Sequence, residues 1–392
     1  MKKLLIVATI PDTLSAFFTY ITRHLQANGW QVDGMANGVS HDKECLELFD
    51  NVWDVDLSRN PLAPKNLLTA PQQIKDTVNR NGYDLVNVTT PVAAFVTRLA
   101  LKNARKQGKC KVIYTAQGFH FYKGGALYRN AIFLNLEKIA GPGTDYLVVV
   151  NREDAEAAKR HKFVASERVR LIPGTGLNVE RFDCNSITKE QILQVRQELG
   201  LSPQTHLFLS VAEFIKRKHH KDILEAFALL NRQDVYLALA GDGILLEDMQ
   251  QLAVDLGIQD KVHFLGFRRD IPVLVRASLA TILASEQEGL PNCVMESLCM
   301  ETPVIGSNIR GTRDLLEDGY GLLFETGDTK GLAKAIDYFS GNPQEARSMG
   351  EKGRQSLTSY DVPSILQKYE SLYLEALSPK SKQINQYSTQ NN

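Results

Sequence analysis

The sequence predicts an α/β protein with two doubly wound, Rossmann-like domains, and three observations support this prediction. Short apolar runs rich in β-branched residues alternate with longer helical patterns, which is typical of parallel sheets built from βαβ units. These runs form two series, separated by the turn residues Pro173-Gly174-Thr175-Gly176. The chain of 392 residues also exceeds the length at which one hydrophobic core keeps growing.

The predicted elements follow in chain order. The first series of strands is Leu4–Thr9, Leu85–Val88, Val112–Thr115 and Tyr146–Val150. The second series is Leu207–Val211, Tyr236–Ala240, Val262–Leu265, Leu279–Ala284 and Pro303–Ile305. The predicted helices include Leu14–Ala27, Thr188–Leu199, Asp222–Leu230 and Pro363–Leu377, the last with Ile365, Tyr369, Leu372 and Tyr373 on one face. Ligands bind outside the carboxyl ends of such strands, so two facing domains are expected to share one cleft.

The composition argues against several classes of protein. A net charge of zero and a pI of about 7.1 give no reason to expect a nucleic-acid partner. The five cysteines are scattered without metal-type spacing, which suits a reducing compartment. The apolar start ends at Pro11-Asp12 without a small-residue cleavage site, so it predicts a buried strand rather than a signal peptide. No apolar run approaches the roughly 20 residues that span a bilayer, and we therefore expect a cytoplasmic protein.

A phosphate-binding turn is predicted between the strand that ends at Ala284 and a helix that starts near Pro291. The first amides of a helix lack intrahelical partners and carry the positive end of its dipole, so they can hold an anion. Pro291 suits the first turn because its missing N–H costs nothing there. Glu288 in the loop and Glu296 in the helix flank the turn. Glu296 can accept two hydrogen bonds from a ribose, and Glu288 faces the group attached to the phosphate, so the pattern predicts a nucleotide-sugar site.

The segment Glu288–Glu296, with Gly289, Leu290, Pro291 and Asn292 at its turn, resembles the E-x7-E motif of the family-4 retaining glycosyltransferases. The surrounding sequence matches that family's donor domain in order and spacing, at His263–Phe267, Thr302–Ser307, Gly311 and Gly319–Leu323. The resemblance implies the GT-B fold, in which two doubly wound domains face each other across a cleft. It also implies retention at the anomeric carbon without a metal cofactor, because cations and helix amides hold the donor diphosphate in this family.

A basic turn, Lys216–His220, follows a predicted strand and resembles the place where the family neutralises the donor diphosphate. Most members have an Arg and a Lys here, and permanent cations suit this role. Lys218 matches the Lys position, but Glu213 occupies the Arg position, as in a subgroup resembling capsule and lipid-linked oligosaccharide transferases. The second positive charge is then expected from Arg217 or Lys216. A solvated basic turn is the alternative.

The uracil and ribose of the donor are expected near Gly266-Phe267-Arg268. In the family, backbone groups at this point read the base edge and the following Arg often lies against it, so the resemblance assigns Phe267 and Arg268 to donor binding. Gly241-Asp242-Gly243 resembles the family's Gly-x-Gly turn, where glycine lets the backbone pass close to the ligand. A plain tight turn explains Gly241 equally well.

The stretch Tyr114–Gly124 resembles the most recognisable signature of the subgroup. Related chains have a His beside the reacting centre where this chain has Gln117, which can hydrogen-bond a sugar hydroxyl but cannot accept a proton at neutral pH. Retaining enzymes of this class are thought to use front-face transfer, in which a donor phosphate oxygen helps to deprotonate the acceptor. His120 is the nearest replacement base, although a structural role is equally open. The resemblance assigns acceptor binding to Phe119, Tyr122 and Lys123.

Two loops of the first half, Ser58–Leu62 and Thr90–Phe95, strengthen the subgroup match. They are expected to border the acceptor through Arg59 and Pro91. The nearby Asp54-Val55-Asp56 copies the D-x-D metal motif of other glycosyltransferases and is predicted to be a decoy, since the GT-B clamp uses cations instead. His219-His220 lacks a third ligand at suitable spacing, so these are expected to be polar loop residues.

One charge pattern is independent of any resemblance, because no acidic residue lies between Asp84 and Glu137. The basic residues in this segment are Arg98, Lys102, Arg105, Lys106, Lys109, Lys111, Lys123 and Arg129. Aromatic residues are interleaved with them, namely Phe119, Phe121, Tyr122, Tyr128 and Phe133. Basic charge mixed with aromatics suits an anionic membrane surface and a lipid diphosphate. A solvated basic helix explains the part from Arg98 to Lys109 equally well.

These features predict a glycosyltransferase, peripherally bound to the inner face of the plasma membrane, that acts in surface polysaccharide or glycan biosynthesis. It would move a hexose or N-acetylhexosamine from a UDP-sugar to a polyprenyl-diphosphate-linked saccharide. The expected domains are an acceptor domain at 1–180, a donor domain at 181–355, a helix at 356–377 that crosses back to the first domain, and a disordered tail at 378–392. A UDP-sugar 2-epimerase and a non-catalytic nucleotide-sugar-binding partner remain open, the second because of Gln117 and Glu213.

Overall fold

The computed structural model describes residues 1–61 and 63–378, and its contacts divide the chain into two compact units. The first unit contains Met1–Tyr114, Ala140–Tyr146 and the chain from Gln367 onward. The second unit contains Thr115–Ile139 and Leu147–Leu366. The predicted domain boundaries stay predictions, and the predicted disorder of residues 379–392 lies outside the described residues.

Strands β1 to β7 form a sheet in the order β3-β2-β1-β4-β5-β6-β7. Strand β1 pairs in parallel with both β2 and β4, so the winding of the chain changes direction beside β1. The strands are β1 Lys3–Val7, β2 Gln31–Ala36, β3 Val52–Asp54, β4 Leu85–Val88, β5 Lys111–Ala116, β6 Tyr146–Val149 and β7 Val169–Leu171.

Strands β8 to β13 form the other sheet in the order β10-β9-β8-β11-β12-β13. The strands are β8 His206–Val211, β9 Val235–Ala240, β10 Val262–Gly266, β11 Ala280–Leu283, β12 Val304–Ser307 and β13 Gly321–Phe324. Leu207 and Leu209 lie in one buried cluster and Phe208 in another, so both faces of β8 are covered. The winding changes direction between β8 and β11, and in doubly wound sheets ligands bind at the carboxyl ends of such a pair.

The helices cover the sheets and supply the turns that follow the strands. They are α1 Pro11–Ala27, α2 Lys43–Leu48, α3 Ala70–Asn81, α4 Pro91–Ala100, α5 Lys102–Lys106, α6 Leu127–Ala140, α7 Arg152–Arg160, α8 Lys189–Glu198, α9 His220–Ala228, α10 Leu246–Asp255, α11 Ile271–Ala277, α12 Asn292–Cys299, α13 Thr312–Leu316, α14 Thr329–Gly341, α15 Pro343–Ser356 and α16 Val362–Leu377. Over residues 1–61 and 63–378, no helix has the length and apolar character that crossing a bilayer requires.

The predicted strands are confirmed, but the sequence prediction missed four others, β2, β3, β7 and β13. Strand β2 was missed because polar residues interrupt its apolar run. Asp33 in this strand is fully buried, and its carboxylate accepts hydrogen bonds from Tyr83 and from Asn51 Nδ2 at 3.2 Å. Buried polar groups are tolerated when they are hydrogen-bonded in this way, and such pairing cannot be read from a single segment.

The four predicted helices are confirmed as α1, α8, α9 and α16. Helix α8 begins with a capping box, because Thr188 Oγ1 accepts from the Gln191 amide at 3.3 Å and Gln191 Oε1 accepts from the Thr188 amide at 2.8 Å. The predicted apolar face of α16 is buried, including Tyr369 and Tyr373. Within the first unit, the Tyr373 hydroxyl lies 2.6 Å from Asn87 Nδ2.

Candidate active site

Two loops meet at the carboxyl ends of β8 and β11, where the winding of the second sheet changes direction. The chain after β8 leads into a short 3-10 turn, Lys216–Lys218, and then into α9. The chain after β11 runs through Ser285 and Glu286 to α12. The Glu286 amide donates to the Arg217 carbonyl at 3.0 Å, which fixes one loop against the other. The basic turn and the acidic loop that the sequence singled out therefore lie at one crevice.

The cations of the basic turn converge on Glu288. Lys218 Nζ lies 2.5 Å from Glu288 Oε1, and the two side chains are only 15% and 12% exposed. Arg217 donates to the Gln287 carbonyl at 2.8 Å and lies 3.4 Å from the same Glu288 oxygen. Lys216, by contrast, is exposed. The geometry therefore favours Arg217 over Lys216 as the second cation beside Lys218.

The two histidines of the basic turn have structural partners. His219 Nδ1 lies 2.8 Å from Asp222, and its Nε2 lies 3.3 Å from Glu286. His220 is buried, and its ring stacks on Phe214 with 4.1 Å between centroids. Burial lowers the pKa of His220 to about 4, so this ring is neutral at neutral pH. The contacts give both histidines a role in shaping the loop.

No group of three or more His, Cys, Asp or Glu side chains in the described part of the chain is placed to hold a metal ion. In the D-x-D pattern, Asp54 Oδ1 accepts from the Ser40 amide at 3.3 Å. Asp56 accepts from Gln73 Nε2 at 3.0 Å. Whether catalysis needs a metal stays a prediction from the sequence.

Helix α12 begins at Asn292, so Pro291 is the residue just before its first turn. Glu296 lies on this helix and is half-buried, and its carboxylate accepts no hydrogen bond from residues 1–61 or 63–378. Burial raises the pKa of Glu296, and the charge of Arg181 only partly offsets the effect. Burial also raises the pKa of the neighbouring Cys293 to about 12, which leaves that thiol uncharged. Glu296 is thus a carboxylate that hydroxyl donors would stabilise.

The backbone at Gly289 passes so close to Gln117 that only glycine fits. A Cβ at position 289 would lie 1.9 Å from the Gln117 carbonyl oxygen. Gly118 has a φ of 123°, and a Cβ there would lie 3.0 Å from Gly289 Cα. The Gln117 side-chain nitrogen is buried without a hydrogen-bond partner among the described residues. Two segments that the sequence assigned to catalysis therefore touch.

The side chain of Arg310 also connects the segments that contain Gln117 and Gly289. Arg310 is only 3% exposed. One terminal nitrogen lies 2.5 Å from Asp154 Oδ1 and donates to the Phe121 carbonyl at 3.0 Å. The other terminal nitrogen donates to the Phe119 carbonyl, and Nε donates to the Glu288 carbonyl at 3.2 Å. The second oxygen of Asp154 accepts from the Phe119 amide at 3.0 Å. A buried ion pair thus holds both loops through their backbones.

Phe119, predicted to bind the acceptor, has a buried side chain, and its acceptor role stays a prediction. The Phe119 side chain is 1% exposed and stacks on Phe121, with 4.8 Å between the ring centroids. Its ring belongs to the core, and its carbonyl and amide make the contacts described above. Tyr122 is half-buried and Lys123 is exposed, so both can reach a ligand, and their role at the acceptor stays a prediction.

His120 lies beside the aromatic ring of Phe133, with 5.0 Å between ring centroids. His120 is exposed at the surface, but partial loss of water around its imidazole, together with the charges of Arg310 and Arg129, lowers its pKa below the ordinary value. The imidazole is therefore neutral at neutral pH, and only this form can accept a proton. A catalytic role for His120 stays a prediction.

The residues predicted to bind the base and ribose of the donor differ in their exposure and contacts. A Cβ at Gly241 would lie 2.1 Å from the Ala212 carbonyl oxygen, so the protein's own backbone requires glycine there, and a place for Gly241 beside the ligand stays a prediction. Phe267 is 71% exposed at the end of β10 and can stack on a flat ligand. Arg268 is engaged by two carboxylates, at 2.6 Å from Glu198 and 2.6 Å from Asp270. These ion pairs give Arg268 a structural role. For Arg268 to contact the base as predicted, one of the two ion pairs must break.

Two predicted acceptor residues lie in the first unit. Pro91 is the first residue of α4 and follows Thr90, whose φ of 63° is rare for a β-branched residue. The Thr90 hydroxyl lies 2.7 Å from the Thr9 hydroxyl, at the carboxyl ends of β1 and β4. Strain of this kind is concentrated at ligand sites. Arg59 is exposed in the loop after β3, and the acceptor roles of both residues stay predictions.

Part of the basic and aromatic pattern is buried rather than available to a membrane. Arg98 is 1% exposed, donates to the Ala94 carbonyl at 2.9 Å and lies over the Tyr114 ring at 4.2 Å. Phe119 and Phe121 are buried as well. Neither reading of the sequence, a membrane-facing surface or a solvated helix, applies to Arg98.

The sequence prediction missed Arg310, Asp154 and Asn151, which hold the loops in place. Asn151 Nδ2 donates to the Gly289 carbonyl at 3.0 Å and to Asp154 at 3.0 Å. Arg310 follows strand β12 and Asn151 follows β6, so both lie just past the carboxyl ends of strands. That position was the one available signal, because polar side chains there face the ligand side of a parallel sheet.

Comparison with known proteins agrees with this geometry. The family described as Glycosyltransferase Family 4 matches residues 15–181, and the family described as Glycosyl transferases group 1 matches residues 191–356. The chain is similar to the putative glycosyltransferase EpsD of Bacillus subtilis (strain 168), at 32% identity over 375 residues, with 95% of this chain and 96% of that protein covered. This chain belongs to the family-4 glycosyltransferases with the GT-B fold.

Two further similarities are more distant. The UDP-Gal:alpha-D-GlcNAc-diphosphoundecaprenol alpha-1,3-galactosyltransferase of Escherichia coli is 25% identical over 305 residues, covering 76% of this chain and 77% of that enzyme. The crystal structure of Anabaena Alr3699/HepE in complex with UDP superposes with a TM-score of 0.77 at 20% identity, covering 96% of this chain and 100% of that one. The second similarity supports the fold alone.

The buried pair predicts a large loss of stability when Arg310 is removed. Arg310→Ala leaves Asp154 buried without its cation, and breaking such a pair costs about 3–5 kcal/mol in the free energy of unfolding. Arg310→Lys keeps the charge but loses the planar fork, so an intermediate loss is expected. Urea denaturation of wild type, Arg310→Ala and Arg310→Lys measures the free energy of unfolding of each protein.

Arg152→Ala is the matched control, because Arg152 is 50% exposed and pairs with Asp314 and Glu317 at the surface. Its loss should cost less than about 1 kcal/mol. Equal losses in Arg310→Ala and Arg152→Ala would contradict the anchoring role of Arg310.

The raised pKa of Glu296 predicts that Glu296→Gln stabilises the free protein at neutral pH. The ionised carboxylate is less favourable in the fold than in the unfolded chain, so its destabilisation is present above the folded pKa. This destabilisation vanishes as the pH falls below the ordinary pKa of Glu. The stability advantage of Glu296→Gln over wild type should therefore decrease over the same pH range. Thermal unfolding over a pH series measures this, with the exposed Glu351→Gln as control. A variant less stable than wild type at neutral pH would show that Glu296 has a structural partner.

Proposed function

We propose that this glycosyltransferase moves a hexose or N-acetylhexosamine from a UDP-sugar to a polyprenyl-diphosphate-linked saccharide, with retention at the anomeric carbon. The product would serve the synthesis of a surface polysaccharide or glycan. The observation that carries the proposal is the convergence of Lys218, Arg217 and Glu288 at the crevice between β8 and β11.

The donor diphosphate would bind to Lys218 and Arg217 beside the start of α12. Phosphate oxygens attract both cations more strongly than one carboxylate does, since a diphosphate carries more charge and more acceptor atoms. Lys218 would then leave Glu288, and Glu288 would be free to accept a hydroxyl of the transferred sugar. The amides of the first turn of α12 add donors without intrahelical partners.

The nucleoside part would use Glu296. A half-buried carboxylate without a donor is costly, and the two hydroxyls of a ribose supply two charge-assisted hydrogen bonds. Phe267 offers an exposed ring for the base. The Escherichia coli relative is named for a UDP-Gal donor, which supports uracil as that base.

Retention is supported by the arrangement around Gln117. Gln117 cannot act as a base, but its unpaired and buried side-chain nitrogen can hydrogen-bond a sugar hydroxyl beside Gly289. A donor phosphate oxygen would take the acceptor proton on the same face from which the diphosphate leaves. His120, neutral at neutral pH, is the protein group that would assist.

The acceptor class follows from a similarity and from surface chemistry. The Escherichia coli relative is named for transfer to a diphosphoundecaprenol-linked sugar. Exposed Lys123, next to Tyr122, is suited to a diphosphate at the membrane surface. We infer a location at the inner face of the plasma membrane through peripheral contact.

The function is tested by acceptor-dependent release of UDP. Incubation of the full chain with UDP-Gal, UDP-GalNAc, UDP-GlcNAc or UDP-Glc and a lipid-linked acceptor should yield UDP and a longer glycolipid with one donor. The new linkage, examined by NMR, should keep the anomeric configuration of the donor. Conversion of the UDP-sugar without acceptor would indicate an epimerase instead, and binding of the donor without turnover would indicate a non-catalytic protein. An inverted linkage would contradict the mechanism.

The ion pair predicts opposite effects for its two partners on UDP binding. Lys218→Ala removes a charge-assisted contact to the diphosphate worth about 1.5–3 kcal/mol, so the Kd for UDP should rise by roughly ten- to a hundredfold. Glu288→Gln releases Lys218, so UDP should bind unchanged or a few-fold tighter, while kcat should fall on the order of a hundredfold. Calorimetry and initial rates measure these quantities.

Lys216→Ala is the control, because Lys216 is exposed in the same turn and the effect of a surface change should stay within about twofold. Equal small effects of Lys216→Ala and Lys218→Ala would place the diphosphate elsewhere. A loss of UDP affinity in Glu288→Gln equal to that in Lys218→Ala would assign Glu288 to donor binding rather than to turnover.

A further inference from the structure

Helix α6 exposes apolar side chains that a soluble surface would not need. Leu127 is 87% exposed, Tyr128 70%, and Ile132 and Ile139 are each 55% exposed. The opposite side of the helix is apolar as well, since Phe133 and Leu134 are at least half-buried. The half-buried apolar side chains are covered by the protein, and the exposed ones would gain cover from a partner or from a lipid phase.

The exposed residues form one continuous face. With about 100° of rotation per residue, Leu127, Ala131, Tyr128, Ile139 and Ile132 fall within an arc of about 140°. All five are exposed, and the polar residues within the arc are Asn135 and Lys138. A patch of this width on a helix matches the apolar face of segments that lie in the interface of a bilayer.

The charges around this face are positive. Arg129 lies outside the arc on one side, Lys138 lies within it near the other edge, and Lys123 is exposed just before the helix. The acidic residue of the helix, Glu137, is 7% exposed and lies on the opposite side. An apolar face with a cationic border complements an anionic lipid surface, where each Lys or Arg adds to binding. A second protein copy with the same positive border would instead be repelled.

The face is joined to the loop that carries the predicted acceptor residues. Asn130 on the inner side of α6 donates to the Tyr122 carbonyl at 2.8 Å and accepts from the Tyr122 amide at 3.2 Å. The ring of Phe133 lies against His120. Tyr122 and Lys123 are therefore held at a fixed position relative to the exposed face. A helix seated on a membrane would keep this loop at the level of the lipid headgroups.

We propose that the outer face of α6, formed by Leu127, Tyr128, Ala131, Ile132 and Ile139, docks the enzyme on an anionic bilayer. This inference rests on the proposed function in that docking brings Tyr122 and Lys123 to a membrane-embedded acceptor. The apolar side chains insert between the headgroups, Tyr128 lies at the polar boundary, and Arg129 and Lys138 contact lipid phosphates.

The test measures sedimentation of the full chain with vesicles. Wild type should bind phosphatidylcholine vesicles that contain phosphatidylglycerol, bind pure phosphatidylcholine more weakly, and lose binding as salt rises. Ile132→Glu places a negative charge among the exposed side chains of the face and should weaken partitioning by roughly tenfold or more. Because Ile132 is exposed, the Ile132→Glu variant should have the same thermal stability as wild type.

Val254→Glu is the matched control, because Val254 is 54% exposed on helix α10, close to the 55% of Ile132. Its vesicle binding should stay within about twofold of wild type. Equal binding by wild type and Ile132→Glu would overturn the proposal, as would failure of wild type to bind anionic vesicles. A wild-type dimer that Ile132→Glu dissociates, without vesicle binding, would show that a second copy covers the face.

Turnover separates this proposal from the proposed function. With an acceptor embedded in anionic vesicles, Ile132→Glu should be slower than wild type by about the loss in vesicle binding. With the acceptor dispersed in detergent, the two should be equal, since α6 is not part of the donor site. Absence of turnover with every acceptor would refute the proposed function, while the sedimentation result would still decide the docking surface.

Discussion

The arrangement of the active-site loops depends on one buried guanidinium. Arg310 donates to the carbonyls of Phe119, Phe121 and Glu288 and pairs with Asp154, so a single side chain fixes the backbones of two loops that are distant in sequence. A buried charge of this kind is tolerated because each donor has a partner. The planar fork of Arg supplies the donor directions that Lys lacks.

This anchoring explains why the chemistry can reside in a loop. Arg310 binds the carbonyl of Glu288, which leaves the carboxylate of the same residue free to pair with Lys218 or, in the proposed mechanism, with a sugar. The absence of a Cβ at Gly289 brings this backbone against Gln117. Rigid backbone and exchangeable side-chain partners are therefore combined within a few residues, as a preorganised site requires.

Much of the fold could be predicted from the sequence because parallel strands covered on both faces are short and apolar. Strand β2 escaped prediction because the partners of its buried Asp33 are distant in sequence. The resemblance predicted Lys218 and Glu288 at one donor site, and the structure places the two side chains together. Their ion pair was not predicted, since it depends on β8 lying next to β11.

Other features could not be read from the sequence. Arg310 and Asp154 are 156 residues apart, so their pairing cannot be read from either segment alone. The burial of Phe119 could not be predicted, because an aromatic residue at a strand end suits a core and a ligand site equally well. The exposure of α6 could not be predicted either, because an apolar helix in a sequence of this composition is expected to be buried.

The central claim is that the crevice between β8 and β11 binds the nucleotide of a UDP-sugar. A crystal structure of the full chain with UDP tests this most directly. The claim predicts that the diphosphate lies between Lys218 and the first turn of α12, with Glu296 on the ribose hydroxyls and Lys218 moved away from Glu288. A diphosphate bound elsewhere, or bound with the pair between Lys218 and Glu288 intact, would contradict it.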